Sequence, residues 1–449
     1  SSHMSISYAV FCLKKKSQRI IKFNISASKS QDIILGTLMY AAGKLWNIGN
    51  YERRCWTADN GLKYPDWYEQ KKKLKGHYWY KCLPSQTAQE ILKQLHEAWK
   101  SYYELVRTGK VENPQPPRYK KAGVTIRYLN KGFIISNGII RLTISKKQKE
   151  HLRQKYGITA DFMYISIPDE YKSFKGNPKI IEIISLGEGK YKVNMIIELP
   201  KAEYKPDNGV YMSVDLGINN LITCYVSTGK SFIISGRQLL SINRYFDKKI
   251  GYYQSIAYAQ QSAWGMKYAK RTKRIARLYE KRSRQVEHLL HTATKKVIDF
   301  GVSEGVSKII IGDITHIRNE KDMGKVNNQK LHKWPYGRIK QLLEYKAKDQ
   351  GIQTEMQEES FTSQCSPYAE EVIEEYANKS NRKNRGLYVD EGEVLNADCV
   401  GAYNIMRKYL RRTGKPSPAV VGLDNPMMYR WNSLKGFVSN QKLAISMAM

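Results

Sequence analysis

The stretch Tyr211–Val226, YMSVDLGINNLITCYV, does more than any other to limit what this chain can fold into. It reads as a strand rising into a single carboxylate, Asp215, then a Leu-Gly step and a second apolar strand. Side chains alternate across a strand, so Val214 and Leu216 seek a core while Asp215 faces the other way. Gly217 leaves the backbone bare where a bulky group such as a phosphate would have to approach. A strand can also end in Asp-Leu-Gly for turn reasons alone, so the rest of the chain decides whether Asp215 carries chemistry.

Charge points to a polyanion. The 449 residues carry 75 Lys+Arg against 41 Asp+Glu, a net charge of +34. That surplus far exceeds what solubility requires and fits a nucleic-acid partner, with binding that weakens steeply in salt. The six cysteines, at 12, 55, 82, 224, 365 and 399, include no CxxC pair. This spacing argues against a disulfide framework or a zinc ribbon and suits a reducing cytosol. Neither a signal peptide nor an apolar run long enough to span a bilayer is expected, and Ser1-Ser2-His3 before Met4 reads as a tag remnant.

In order, residues 5–24 read as two strands, and Ser30 is the expected N-cap of a helix from Gln31 to about Cys55. The stretch 64–82 then mixes Lys71, Lys72, Lys73 and Lys75 with Tyr78, Trp79 and Tyr80. Cations that hold phosphates beside rings that stack on bases make these seven residues candidates for nucleic-acid binding. After Pro84 a second helix runs from Ser85 to about Thr108, so a small helical module interrupts a β domain. That β domain resumes at Val124, with hairpin turns at Asn137-Gly138 and Gly187–Gly189. Lys205–Gly209, KPDNG, is the expected linker.

Beyond it the pattern becomes α/β. One long helical stretch, about 241–303, carries Lys267, Lys270, Arg271, Arg274, Arg277 and Arg284 with few acids, which reads as a phosphate-tracking face. An all-apolar strand follows, ending in Gly312-Asp313, then a helix over 335–350, a strand over 351–357 and a closing helix in LNADCVGAYNIMRKYL. The Pro- and Gly-containing tail, 412–449, is expected to be loosely held.

Three acids, Asp215, Asp313 and Asp398, thus stand at the ends of apolar elements in one α/β region. Parallel strands bring such ends to one sheet edge, and clustered carboxylates imply hard divalent cations. A two-ion Mg²⁺ site of this kind hydrolyses phosphodiesters. The chain has no HExxH, Walker or GxSxG motif to suggest other chemistry.

DLGINNLIT, the basic helix, KIIIGDITHIR, TSQCS and LNADCVGAYNIMRK, in that order, resemble the TnpB family of transposon-encoded RNA-guided DNA nucleases, relatives of the miniature type V CRISPR effectors. The likeness covers 206–411 motif by motif and the N-terminal half in layout only. It implies an α+β multidomain chain: a wedge β-barrel (4–30 and 116–205), an inserted helical recognition module (31–115) and an RNase H-like, RuvC-type α/β domain (206–411). It also implies double-strand cleavage directed by a structured guide RNA at double-stranded target DNA beside a short recognised motif, with Mg²⁺ as cofactor. A cytoplasmic, nucleoid-associated monomer without membrane contact is expected.

Two departures from the family pattern matter. Many relatives carry a four-cysteine zinc ribbon, but in 362–397 only Cys365 remains, so no zinc is expected and the chain looks like a ribbon-less subgroup. Relatives also end the central strand in Glu-Asp, with Glu as the metal ligand, whereas here the Glu position is Gly312. One residue of shift turns a strand side chain to the opposite face, so Asp313 is a poor substitute. Glu359, or less favourably Glu358, at the end of the next strand is the expected relocated acid, which makes Asp215, Glu359 and Asp398 the metal ligands and Asp313 the runner-up. Gly312 also motivates a rival reading, a nuclease-dead RNA-guided DNA-binding repressor, in which mutating Asp215 changes nothing. A plain DNA-binding or transposition factor is the third reading, disfavoured because the nuclease acids occur in order.

Overall fold

The structure, a computed structural model, describes residues 18–57, 59, 61, 63–109, 111–121, 124–200, 203–266, 269–313, 324–383 and 386–439. The expected strand before residue 14, Lys267 and the last ten residues lie outside these. The chain forms two compact units that divide between Lys201 and Ala202.

In the first unit, strand β1 (Gln18–Ser26) leads into helix α1 (Lys29–Cys55). The helix is capped two residues earlier than expected, because Ser28 and Gln31 cap each other reciprocally, leaving Ser30 inside. Two short helices follow, α2 (Trp67–Leu74) and α3 (Tyr78–Lys81), then α4 (Ser85–Thr108). Helix α4 buries Ala88, Ile91, Leu92, Leu95 and Trp99, one stripe at helical spacing, in a core shared with Leu35, Leu38 and Leu45 of α1. Strands β2 (Ile126–Leu129), β3 (Phe133–Ser136) and β4 (Ile139–Thr143) precede α5 (Lys146–Tyr156). Strands β5 (Phe162–Ser166), β6 (Asn177–Gly187) and β7 (Lys190–Glu198) complete the unit. They form two sheets, β1-β7-β6-β2 and β3-β4-β5. Both expected hairpin turns form, with positive φ at Asn137 and Gly138 and at Gly187, Glu188 and Gly189.

The second unit is built on β8 (Tyr211–Asp215), β9 (Asn220–Val226), β10 (Ser231–Ser235), β11 (Lys308–Asp313) and β12 (Gln353–Glu358). Helices α6 (Arg237–Ala263), α7 (Lys273–Ser303), α8 (Lys325–Lys333) and α9 (Tyr336–Asp349) lie between strands in sequence. A small hairpin, β13 (Leu387–Asp390) with β14 (Glu393–Asn396), precedes α10 (Ala397–Arg412). The main sheet runs β12-β11-β8-β9-β10-β15-β16, ending in β15 (Met427–Asn432) and β16 (Gly436–Ser439). Strands β8, β11 and β12 are mutually parallel, so their C-terminal ends share one edge.

Alternation along these strands sorts the sheet's two faces. Met212, Val214, Ile309 and Ile311 pack with α6, α7 and α9 residues such as Phe246, Leu290 and Leu343. Tyr211, Tyr225 and Ile310 pack instead with Val400, Tyr403 and Met406 of α10. Fully buried Ser213 donates its hydroxyl to Ala402 O at 2.6 Å on that same side.

Three expectations change. The basic helical stretch is two helices, because Gly265 (φ +75°) breaks the run and Thr272 caps α7. Lys205–Gly209 is no free linker: Lys205 N–H donates to Gly351 O at 2.8 Å, and Asp207 pairs with Lys415 at 2.7 Å. The tail is not loose throughout, since β15 pairs in parallel with β10 and β16 pairs with β15.

Candidate active site

Asp215 ends β8 on the α10 face, sharing the parity of Tyr211 and Ser213. By the same parity Gly312 on β11 faces α10 with Ile310, whereas Asp313 turns with Ile309 and Ile311 to the opposite face. There Tyr336 donates its hydroxyl to Gly312 O at 3.1 Å and to Asp313 Oδ1 at 3.4 Å.

Glu359 follows β12 directly. A Cβ placed on Gly312 would lie 1.6 Å from Glu359 Oε1 and 2.5 Å from its Cδ. The Glu359 carboxylate therefore fills the space that a side chain at 312 would need. Glu358, one residue earlier, points elsewhere: it is exposed and bound by Lys408 and Ser360. The Glu359 backbone is held by Thr362, whose N–H and hydroxyl both donate to Glu359 O, at 3.2 and 2.9 Å.

Asp398 sits in the first turn of α10, where Asn396 caps the N-H groups of Asp398 and Cys399. Its carboxylate accepts from Asn220 Nδ2 at 2.6 Å and from Arg382 at 3.0 Å. Gly401, one turn further on, keeps space for Asp215: an added Cβ would stand 2.9 Å from Asp215 Oδ2.

Electrostatics separate Asp215 and Glu359 from ordinary surface carboxylates. Burial, then the charge of Asp398, pushes Asp215 up to about 7, partly opposed by the Arg382 guanidinium and the Leu216 N–H. Burial, then the charges of Asp215, Asp313 and Glu358, pushes Glu359 up to about 9. Glu359 Oε1 is buried without a hydrogen-bond partner among the described residues. All-oxygen donors, an orphaned carboxylate oxygen and two glycines that keep space open fit a hard divalent cation at Asp215 and Glu359. As they stand, however, no three His, Cys, Asp or Glu side chains among the described residues close on one point. Asp398 is engaged by Arg382 instead.

Sequence reasoning missed Asn220, Arg382 and Asn404. Asn220 and Asn404 lie inside motifs already singled out, but Arg382 sits in an irregular stretch with no periodic signal. Fully buried Asn404 donates to Thr362 O and Cys365 O, both at 2.9 Å, and accepts from Arg407 at 3.1 Å. It ties α10 to the loop that carries Glu359. Asn404→Ala orphans two buried carbonyls, so urea unfolding should show a loss of about 2–4 kcal/mol. A loss under about 0.5 kcal/mol would refute this tie.

The nucleic-acid candidates are scattered more widely. In the first unit Lys73 pairs with Glu52 at 2.9 Å and Lys72 with Glu69 at 3.9 Å. Lys71 lies over the Trp67 and Tyr68 rings, and Lys75 is exposed. Tyr78 is exposed and Trp79 half-buried, but Tyr80 is only 4% exposed. The single turn of α3 points Tyr80 into the core, so it presents no stacking face. In the second unit Lys270, Arg271, Arg274, Arg277 and Arg284 are all exposed. Arg274 lies 3.9 Å over the Tyr253 ring and Arg271 4.5 Å over Tyr279. No helix among the described residues is long and apolar enough to cross a membrane.

Two family profiles match the chain: OrfB_IS605, described as a probable transposase, over residues 194–318, and the Cas12f1-like TNB domain over 336–405. TnpB-like protein ORF457 of Acidianus two-tailed virus is 26% identical over 435 residues, covering 89% of this chain and 88% of that protein. CRISPR-associated endodeoxyribonuclease Cas12f1 of Sulfoacidibacillus thermotolerans is 22% identical, covering 72% of this chain and 76% of its own. The Cas12f1-sgRNA-target DNA complex contains a chain of similar fold, with TM-score 0.57, 16% identity and coverage of 84% and 83%. Its motifs, its matched profiles and its near full-length viral relative agree in supporting the TnpB family for this chain.

Proposed function

We propose that this protein is an RNA-guided DNA endonuclease whose RNase H-like sheet cuts target DNA at Asp215, Glu359 and Asp398. The observation that carries this reading is the Glu359 carboxylate in the space left by Gly312, on the same face as Asp215. The family relation supports a nuclease in general, and the +34 charge supports a nucleic-acid partner. Cas12f1 in complex with sgRNA and target DNA supports the kind of partner. The first unit would act as wedge barrel and helical recognition module, reading a short motif beside the target.

Bound divalent cations would supply charge neutralisation and an activated water at the scissile phosphate. Asp215 and Glu359 would hold the cation from two strand ends on one sheet edge. Asn220 fixes one Asp398 oxygen, and the Arg382 guanidinium that pairs with Asp398 partly offsets the upward push of burial on Asp215. Arg382 must release Asp398 for a third carboxylate to join. The loop from 362 to 397 is held without a four-cysteine ribbon: Cys365 Sγ donates to Ile373 O at 3.1 Å and Tyr388 to Gln364 O at 3.1 Å.

The test is cleavage of matched DNA by protein loaded with its copurifying RNA. Guide-dependent, Mg²⁺-dependent cutting is expected. Guided binding without any cutting would favour the repressor reading, and equal cutting without RNA would refute a guided nuclease. Arg271, Arg274 and Arg277 should track phosphates. Changing all three to Gln should flatten the log–log salt dependence of RNA binding by about one for each phosphate no longer neutralised. An unchanged slope would remove α7 from the RNA path.

A further inference from the structure

Within the first unit, α1, α3 and α5 enclose a cleft of about 500 Å³ that is separate from the acids. Its walls carry Tyr40, Tyr78, Trp79 and Tyr156, with Gly36 and Gln148 between them. The rings meet edge to face, Tyr40 with Trp79 at 5.5 Å and Tyr78 with Trp79 at 4.9 Å between centroids. Lysines lie over three of them: Lys44 over Tyr40, Lys147 over Tyr78 and Lys155 over Tyr156, at 5.2, 5.9 and 5.6 Å. Lys147 also pairs with Glu150 at 2.8 Å.

Two details show that the cleft has a purpose beyond folding. Glycine is costly in a helix interior, and α1 contains three exceptions to that rule, Gly36, Gly43 and Gly49. Packing explains two: a Cβ on Gly43 would touch Val124 at 3.4 Å, and one on Gly49 would press Leu95 at 3.0 Å. A Cβ on Gly36 would meet nothing within 4 Å, so no neighbour in the unit requires its absence. Gly36 is exposed and borders the cleft.

The second detail is Gln148, 2% exposed. Its Nε2 donates to Ile34 O and Thr37 Oγ1, both at 3.2 Å. Ile34 O can only accept, which fixes the amide's orientation and leaves Oε1 buried with no partner among the described residues. A buried acceptor without a donor is costly, and a ligand N–H would relieve it.

We propose that this cleft takes one unpaired nucleobase of the bound RNA. Rings supply stacking faces, the lysines meet the flanking phosphates, and a shift of the cleft wall on binding uncovers Gln148 Oε1 to accept from an amino or imino N–H on the base edge. A cleft of this size suits one ring rather than a duplex groove. Structured RNA offers looped-out bases at no extra cost, whereas duplex DNA would have to unstack one, and this favours RNA as the occupant. The proposal rests on the RNA-guided reading.

The copurifying RNA, sequenced and retranscribed, is the probe. Gly36→Ala intrudes on the cleft by one methyl and should weaken binding a few fold. Gly36→Leu fills the cleft and should weaken binding about ten- to a hundredfold, with a thermal midpoint equal or higher. Ultraviolet crosslinking of that RNA should mark peptides spanning Ile33–Ala41 or Tyr78–Cys82. Unchanged RNA affinity in Gly36→Leu overturns the site, as does crosslinking of those peptides to target DNA alone. A protein that carries no RNA overturns the guided reading itself, a result distinguishable from either.

Discussion

Glu359→Gln abolishes Mg²⁺-dependent cleavage of guide-matched DNA, while Asp313→Asn cuts within a few fold of the unmodified protein. The loss should exceed the roughly 10- to 100-fold typical of residues that merely support a metal ligand. The expectation follows from sheet parity: Glu359 stands on the Asp215 face at the place of an absent side chain, whereas Asp313 faces α9 and Tyr336. Single-turnover cleavage measures it, with RNA and DNA binding checked separately, because neither variant should alter them. A positional swap makes the argument stricter. Gly312→Glu alone should be inactive, since its Cβ collides with Glu359. Gly312→Glu combined with Glu359→Gly should regain part of the activity, because the carboxylate returns to the space it vacated. Full activity in Glu359→Gln would end the relocation idea.

The second large effect concerns stability. Asp215 and Glu359 have folded-state values raised to about 7 and about 9, chiefly by burial. A raised carboxyl binds its proton more tightly when folded, so its contribution is fully present below about pH 4 and is lost as pH rises through 7 and then 9. Without divalent metal, the second unit should therefore weaken between about pH 5 and pH 9 by roughly 3–6 kcal/mol. In a unit of this size each kcal/mol moves the midpoint by about 2–4 °C. Mg²⁺ or Mn²⁺ should recover much of that loss at about pH 8–9, and Glu359→Gln should abolish most of both effects. Calorimetry at three pH values, with and without metal, decides it. A Glu359→Gln variant as pH-sensitive as the unmodified chain would show that Glu359 does not carry the buried charge.

Parts of this arrangement could be read from the residues, for identifiable reasons. Helix α4 was legible because Pro84 starts it and its apolar spacing is regular, and the hairpins because Asn137-Gly138 and Gly187–Gly189 demand positive φ. Asp215 stood out through strand alternation, and Glu359 through its position at the end of the next strand. What stayed hidden depends on tertiary partners. Tyr80 and Tyr78 look alike in sequence, and only the turn of α3 sends one inward and the other out. Arg382 reaches Asp398 from a stretch with no period to follow. The strands of the tail were missed because Pro and Gly between 412 and 427 resemble a frayed end, although the apolar run Met427–Tyr429 behind them had a sheet edge to join.

That last pairing bears on how far the protein can be trimmed. Strand β10, with Phe232, Ile233 and Ile234 fully buried, is paired by β9 on one side and by β15 on the other. A compact derivative cut after Arg412 would keep every acid yet strip one side of β10. The unsatisfied backbone of an apolar strand invites the same strand of another molecule. Such a derivative would fail by self-association before any defect in chemistry could be measured.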